Sequence, residues 1–141
     1  MSKESERVLI YGMLKAAWNE STQGPIQWEN MDFTQPTGRV WLAVFILDSD
    51  SFQASLPAGT TLYRHPGILQ IDILGPVDKG TKQLTDAIDL LTPIYRRKSV
   101  VTSDGQLVKF KVPRTMNLGE QNGWWRYSFR VDFHREEYSA S

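Results

Sequence analysis

The hydrophobic and polar positions near the middle of the chain follow two different periods. From 67 to 74 apolar and polar residues alternate, which predicts a strand buried on one side. After a turn at 77–80, apolar residues recur three and four positions apart, which predicts a helix. These helix positions are Leu84, Ala87, Ile88 and Leu91. We expect Asp78 to cap the helix and Pro93 to stop it near Leu91.

Similar patterns predict a first helix at 3–19 and several further strands. The first helix has an apolar stripe that includes Ile10, Leu14 and Trp18, and we assign Glu6 to its polar surface. The predicted strands are 26–28, 40–47, 60–64, 67–74, 99–102, 107–112 and 124–133. Eight consecutive apolar residues at 40–47 indicate a strand that is covered on both faces.

This order of elements predicts an α+β fold. We expect an antiparallel or mixed β-sheet with two α-helices packed on one face. The Asp104-Gly105 pair between two predicted strands indicates a hairpin. The length favours a single domain at 1–141, with flexible tails at about 1–2 and 136–141. The segments 48–59 and 113–123 are expected to be connections without strands.

Composition and charge exclude several functional classes. The chain is 40% hydrophobic and 23% charged, as globular proteins are. It has no cysteine, which excludes disulfides and thiolate chemistry. Sixteen basic and sixteen acidic residues give a net charge of zero, so no bulk attraction to nucleic acid or anionic membranes is expected. No apolar run reaches the roughly 20 residues of a membrane helix, so we expect a soluble protein.

Candidate catalytic and metal-binding residues are few. Asp132 and His134 share one side of the last strand and could form a proton relay, but a solvated strand face explains them more simply. No His or carboxylate spacing matches a metal site, so we expect neither a metal nor a cofactor. Nucleophile and nucleotide-binding motifs are also missing from the sequence. We therefore expect no enzymatic activity.

The last predicted strand carries aromatic residues and arginines in alternation. Trp125, Tyr127, Phe129, Val131 and Phe133 fall on one side, and the arginines fall on the other. Such a pattern favours a half-buried strand with its aromatic side in the core. An alternative hypothesis is a nucleic-acid-binding module. It would use Trp124, Arg126, Arg130, Lys109 and Lys111.

Several phrases of the sequence resemble the tail terminator proteins of long-tailed bacteriophages with non-contractile tails. They are IQWEN at 26–30, FTQP at 33–36, the apolar strand 40–47, PGILQIDI at 66–73, Gly75-Pro76, Gly80, LTDAI at 84–88, Tyr95 and GWWRYSFRV at 123–131. The resemblance extends from the first helix to the last strand. Pro93 departs from it, because ordinary helix formers are expected there.

The resemblance implies a structural function in the phage virion. Such proteins form a ring, usually a hexamer, that caps the growing tail tube, stops its polymerisation and joins tail to head. The implied partners are other copies of the chain, the tail tube protein and the head–tail connector protein. DNA would pass through the lumen without specific binding. The implied location is the virion tail, assembled in the host cytoplasm.

Four apolar residues in otherwise polar connecting segments are candidates for an oligomer or tube interface. They are Phe52, Leu56, Met116 and Leu118. Exposed apolar residues in such segments often contact partners. The alternative is that they anchor their own loops to the core of the subunit, and the sequence leaves both open.

Overall fold

Two α-helices and eight β-strands form within the residues that the computed structural model describes, 2–55 and 60–140. In chain order they are α1 Ser2–Ala17, β1 Ile26–Gln27, β2 Trp41–Asp48, β3 Phe52–Ser55, β4 Thr60–Pro76, α2 Lys82–Tyr95, β5 Ser99–Val101, β6 Leu107–Phe110, β7 Arg114–Gln121 and β8 Trp124–Ala140.

The sheet is built around the antiparallel pair β4 and β8, each 17 residues long. Strands β2 and β3 follow one another along the outer side of β4, and β6 and β7 do the same along β8. At the two edges, β1 pairs with β2 in parallel, and β5 pairs with β6 antiparallel. The sheet is therefore mixed, and the predicted α+β class is confirmed.

Both helices contribute to one hydrophobic core on one side of the sheet. Ile10 and Leu14 from α1 and Leu84 and Leu91 from α2 are buried in it together with Ile26 of β1 and residues of four further strands. From the strands come Leu42, Val44, Leu69, Ile71, Ile73, Val108, Phe110, Phe129, Val131 and Phe133. Trp125 and Tyr127 pack against this core, so the predicted apolar side of the last strand is confirmed.

A proline lies inside β4, which joins the predicted strands 60–64 and 67–74 into one. Pro66 pairs with His134 of β8 on one side. On its other side the partner of β4 changes, because Arg64 pairs with Phe52, the first residue of β3, and Gly67 pairs with Asp48, the last residue of β2. A missing N–H is tolerated at such a junction, where no ladder bond has to be made.

The limits of α2 differ from those predicted. The helix begins at Lys82 with Thr81 as its N-cap residue, so the prediction of Asp78 as the cap was wrong. Asp78 has a φ of 63° and lies in the preceding turn. The helix also continues through Pro93 to Tyr95, which is fully buried and donates a hydrogen bond of 2.8 Å to the carbonyl of Ile10. Burial of that aromatic ring offsets the backbone bond that the proline removes.

Two segments expected to be connections contain strands. The segment 113–123 forms β7, and its turn to β8 consists of Asn122 and Gly123, both with positive φ. Such a pair suits the two-residue hairpin turns that match the twist of a sheet. In the segment 48–59, residues 52–55 form β3. Asp104-Gly105 joins β5 to β6, as predicted.

The last strand also differs, because β8 continues to Ala140. Residues 136–140 are therefore paired with β4, in place of the expected tail.

Strand β2 is covered on both faces only in its first half, since Leu47 is 39% exposed. On the face away from the helices, the ring of Trp41 packs against Phe33 and Trp124, with centroid distances of 5.1 and 5.6 Å.

Glu6 is buried, so its assignment to the polar surface of α1 was wrong. Its carboxylate accepts a hydrogen bond of 3.1 Å from Arg135, whose side chain is only 2% exposed. Arg135 also donates to the side chain of Gln106, at 2.6 Å. The pair joins α1 to the sheet under the helical layer.

Candidate assembly surface

The sheet face opposite the helices is the candidate functional surface, here called the open face. It carries those side chains of the strands that alternate with the core residues. On β4 and β8 they include Arg64, Gln70, Asp72, Arg126, Ser128, Arg130, Asp132, His134 and Glu136, with Phe52 on β3 and Arg114 and Met116 on β7. The segment around Phe33 covers one end of this face, over Trp41.

A connected polar network crosses the middle of the open face. Arg130 donates a hydrogen bond of 2.9 Å to the side chain of Gln70, which donates one of 2.9 Å to Asp72. The guanidinium of Arg126 lies 3.6 Å from the carboxylate of Asp72, whose side chain is 9% exposed. Arg126 is paired with a carboxylate of the same subunit, whereas Arg130 bonds the neutral amide of Gln70. The connected bonds give this part of the face a fixed shape.

A second cluster of charges lies around Glu136, whose side chain is 6% exposed. Arg64, Lys109 and His134 approach its carboxylate to 3.4, 3.9 and 3.4 Å. Burial lowers the pKa of the His134 imidazole below its ordinary value, and nearby cations lower it further, although Glu136 acts in the opposite direction. The lowered pKa favours the neutral form of the imidazole at pH 7.

Two grooves lie next to each other on the open face. The first, of about 500 Å³, is lined by Gln70, Arg114, Thr115, Met116, Leu118, Ser128 and Arg130. The second, of about 450 Å³, is lined by residues of five segments, among them Phe52, Arg64, Ile68, Lys111 and Asp132. Both include Arg114, whose guanidinium bonds Asp132 at 2.9 Å. The two grooves are lined mainly by polar and charged side chains, with Phe52, Ile68, Met116 and Leu118 as apolar residues among them.

Three of the four residues predicted as interface candidates line these grooves. Phe52 is 50% exposed and Met116 is 63% exposed, so neither is buried as an anchor for its own segment. Leu118 is partly buried beside Met116. Leu56 lies outside the described residues. The structure thus brings Phe52 and Met116, 64 positions apart in the sequence, to the same face of the sheet.

Four of the five residues of the nucleic-acid hypothesis are engaged within the subunit, and the fifth, Lys111, is exposed. The ring of Trp124 packs edge-on against Trp41, and its indole nitrogen donates to Gln35 at 3.1 Å. Arg126 and Arg130 belong to the polar network, and Lys109 lies near Glu136. A stacking platform requires a free aromatic face beside free cations. That arrangement is not formed by these side chains.

The proton relay considered for Asp132 and His134 is not assembled either. The carboxylate of Asp132 bonds Arg114, and His134 points toward Glu136. The other histidine, His65, lies between Ser51 at 2.6 Å and Glu137 at 2.8 Å. That line has the composition of a catalytic triad, yet neither groove includes Ser51 or His65. These bonds tie the start of β3 to β8 across β4.

The described residues contain neither a metal-binding cluster nor a membrane-spanning helix. No group of three or more His, Asp or Glu side chains there could hold a metal ion. No helix in the same ranges is long and apolar enough to cross a membrane.

Comparison with known proteins decides the family. Residues 9–133 match the family model described as "Phage tail terminator protein". The chain belongs to the phage tail terminator family. It is therefore a component of a phage tail and associates with other tail proteins. The resemblance noted from the sequence phrases is confirmed by this match.

Among solved structures, a similar fold occurs in a protein of about the same size. It superposes with a TM-score of 0.74 at 18% sequence identity, and the alignment covers 96% of each chain. At this identity the likeness concerns the fold alone. The chain matches none of the curated proteins.

Proposed function

We propose that this tail terminator works by assembly, without catalysis. Copies of the chain close a ring, a hexamer, that caps the growing tail tube, stops its polymerisation and joins the tail to the head connector. The ring is assembled in the host cytoplasm and stays in the virion tail. The family match over residues 9–133 is the observation that supports this proposal most directly.

The open face supports contacts with other subunits. Phe52 and Met116 are exposed apolar side chains beside grooves of about 450 and 500 Å³ with charged residues around them. Protein interfaces use apolar anchors of this kind inside a polar rim. We propose that Phe52, Met116 and Leu118 contact a neighbouring copy or the tube protein, and that Leu56 belongs to the same interface.

DNA passes through the lumen of the proposed ring without being held. The chain has sixteen basic and sixteen acidic residues, so the subunit carries no net charge. Arg114 and Arg126 face carboxylates of their own subunit at 2.9 and 3.6 Å. Strong binding to DNA phosphates needs several unpaired cations along the path, and it would slow transit.

Tail length in a phage that lacks this chain tests the proposal. We expect tail tubes of variable, excessive length without attached heads, and normal tails when the wild-type chain is supplied. Met116→Asp should fail to restore normal length. Val8→Asp is the matched control, because Val8 is 59% exposed but lies on α1, away from the open face. Tails of normal length joined to heads in the absence of the chain would refute the proposal.

A further inference from the structure

Four cations without partners lie together at one edge of the sheet, and they are here called the basic corner. They are Arg96, Arg97, Lys98 and Lys111, and all four are exposed. The amide of Arg97 donates to the carbonyl of Lys111 at 3.3 Å, so backbone bonds hold the cluster together. Among the described residues, no carboxylate pairs with any of the four. The chain as a whole is neutral, so this cluster is a local excess of charge.

The backbone at the basic corner is in a strained conformation. Arg97 has a φ of 56°, in the left-handed region that arginine seldom adopts. Such a conformation is unfavourable for a residue with a side chain and persists where the surrounding structure imposes it. It keeps four like charges close together, which is unfavourable in the isolated subunit. The repulsion among these cations favours a partner that supplies negative charge.

Negative charge is exposed at the other edge of the same sheet. Asp48 and Asp50 border the turn between β2 and β3, here called the acidic turn, and both are exposed. Asp50 has no partner in the part of the chain that the structure describes. Asp48 bonds Lys3 at 2.9 Å, but the two side chains are 53% and 70% exposed. Exposed pairs of this kind contribute little and exchange easily.

The acidic turn and the basic corner lie at the two ends of one row of paired residues that crosses the sheet. Asp48 pairs with Gly67, Gly67 with Phe133, and Phe133 with Phe110. At the far end, the amide of Phe110 donates to the carbonyl of Lys98 at 2.8 Å. The acidic turn and the basic corner therefore lie at the same height on opposite edges. A head-to-tail contact between copies requires two different, complementary surfaces on opposite sides of the subunit.

We propose that the basic corner of one copy docks on the acidic turn of the next copy around the ring, an inference that rests on the proposed function. The 450 Å³ groove extends from Ser49 and Phe52, beside the acidic turn, to Lys111. Phe52 follows Asp50 by two residues, so this apolar side chain lies beside the docked charges. Charge complementarity of this kind fixes the register of a contact and accelerates association.

Charge reversal in two matched variants tests this contact. The corner variant carries Arg96→Glu, Arg97→Glu and Lys98→Glu, and the turn variant carries Asp48→Lys and Asp50→Lys. Each alone places like charges at every contact, so we expect ring assembly to weaken at least tenfold. Mixed in equal amounts, the two variants have complementary contacts when they alternate, and an even-numbered ring should form again.

The readouts are particle mass by light scattering and negative-stain images, with and without tube protein. The control variant, Lys79→Glu with Lys82→Glu, changes exposed cations elsewhere and should assemble like the wild type. Thermal unfolding shows whether each variant is folded. Recovery on mixing supports the contact, and rings formed by either folded variant alone overturn it while leaving the proposed function intact. If the two folded variants form no ring when they are mixed, the proposed contact is also wrong.

Two further outcomes are decisive. If the wild type forms no ring, alone or on tubes, the proposed function fails and the contact fails with it. If the corner variant still forms rings but loses affinity for a duplex DNA oligonucleotide that the wild type binds, the basic corner serves DNA and the contact is overturned.

Discussion

Replacing Arg135 tests the buried ion pair beneath α1. The guanidinium is 2% exposed and bonds Glu6 at 3.1 Å and Gln106 at 2.6 Å. Arg135→Met keeps much of the apolar stem but leaves the carboxylate of Glu6, a residue 5% exposed, without its cation. Removing one partner of a buried pair costs about 3–5 kcal/mol, because the other charge stays buried and uncompensated.

Urea denaturation followed by tryptophan fluorescence measures this loss. With the usual slope of about 1–3 kcal/mol per molar urea, the midpoint should fall by more than about 1 M. Burial raises the pKa of Glu6, whereas the hydrogen bond and charge of Arg135 act to lower it. Without Arg135 that pKa should rise further, so the carboxyl becomes neutral more easily. The deficit should therefore be largest near pH 7 and smaller near pH 5.

A double variant and a surface control complete this experiment. Glu6→Leu combined with Arg135→Met removes both charges and should lie within about 1–2 kcal/mol of the wild type. Arg39→Met removes an exposed guanidinium that bonds only a backbone carbonyl, of Ser21, and should cost less than about 1 kcal/mol. A loss below about 1 kcal/mol for Arg135→Met at pH 7 would refute the reasoning.

The structure fixes the expected direction of the stability change for three further substitutions. Gly67→Ala would place a Cβ atom 2.7 Å from Phe133 and 3.2 Å from the carbonyl of Leu47, so thermal unfolding should show a loss of about 1–3 kcal/mol. Gly12→Ala meets no atom within 4 Å and should stabilise α1 by up to about 1 kcal/mol; equal effects at both sites would contradict this. For His134 the folded pKa is lowered from 6.5, so the unfolded state binds the proton more readily. Stability should fall as the pH drops below 6.5, and His134→Gln should flatten that slope in urea titrations from pH 5 to 8; an unchanged slope would count against it.

Elements with strict periodicity could be predicted from the sequence. The alternation in 124–133 gave the correct core side of β8, since a half-buried strand repeats every two residues. Arg135 continues that side of the strand, and Glu6 lies four residues before Ile10 on the buried stripe of α1. The periodicity alone therefore places both residues on the buried sides of their elements. A charged residue is assigned to the surface by default, because its buried partner, in this pair 129 positions away, is unknown.

The sequence contains a hairpin signal that the prediction for segment 113–123 did not take into account. Asn122-Gly123 is among the strongest hairpin signals, and it marks β7 as the partner of β8. The polar composition of β7 hid it, since this edge strand buries little apolar surface. Pro66 and Pro93 led to the opposite error, because a break was predicted at each proline where the strand or helix in fact continues. In both cases tertiary packing decided the outcome, through a change of strand partner at Pro66 and through the buried ring of Tyr95 after Pro93.

The candidate surface could be predicted only as isolated residues. Phe52 and Met116 were recognisable as apolar residues in polar segments, but their common face depends on the registers of β3 with β4 and of β7 with β8. The same holds for the row that places Asp48 and Lys98 at opposite edges. Register is set by contacts distant in the sequence, and a shift of one residue would exchange the two faces.

Imaging of tail tubes that carry this chain tests the central proposal most directly. The purified chain is added to growing tubes of its own tail protein, and the ends are examined by negative-stain electron microscopy while light scattering follows tube growth. We expect one ring with a central opening at a single end of each tube, and growth that stops when the ring is in place. Tubes that keep growing, or chains bound along their length with no ring at an end, would contradict it.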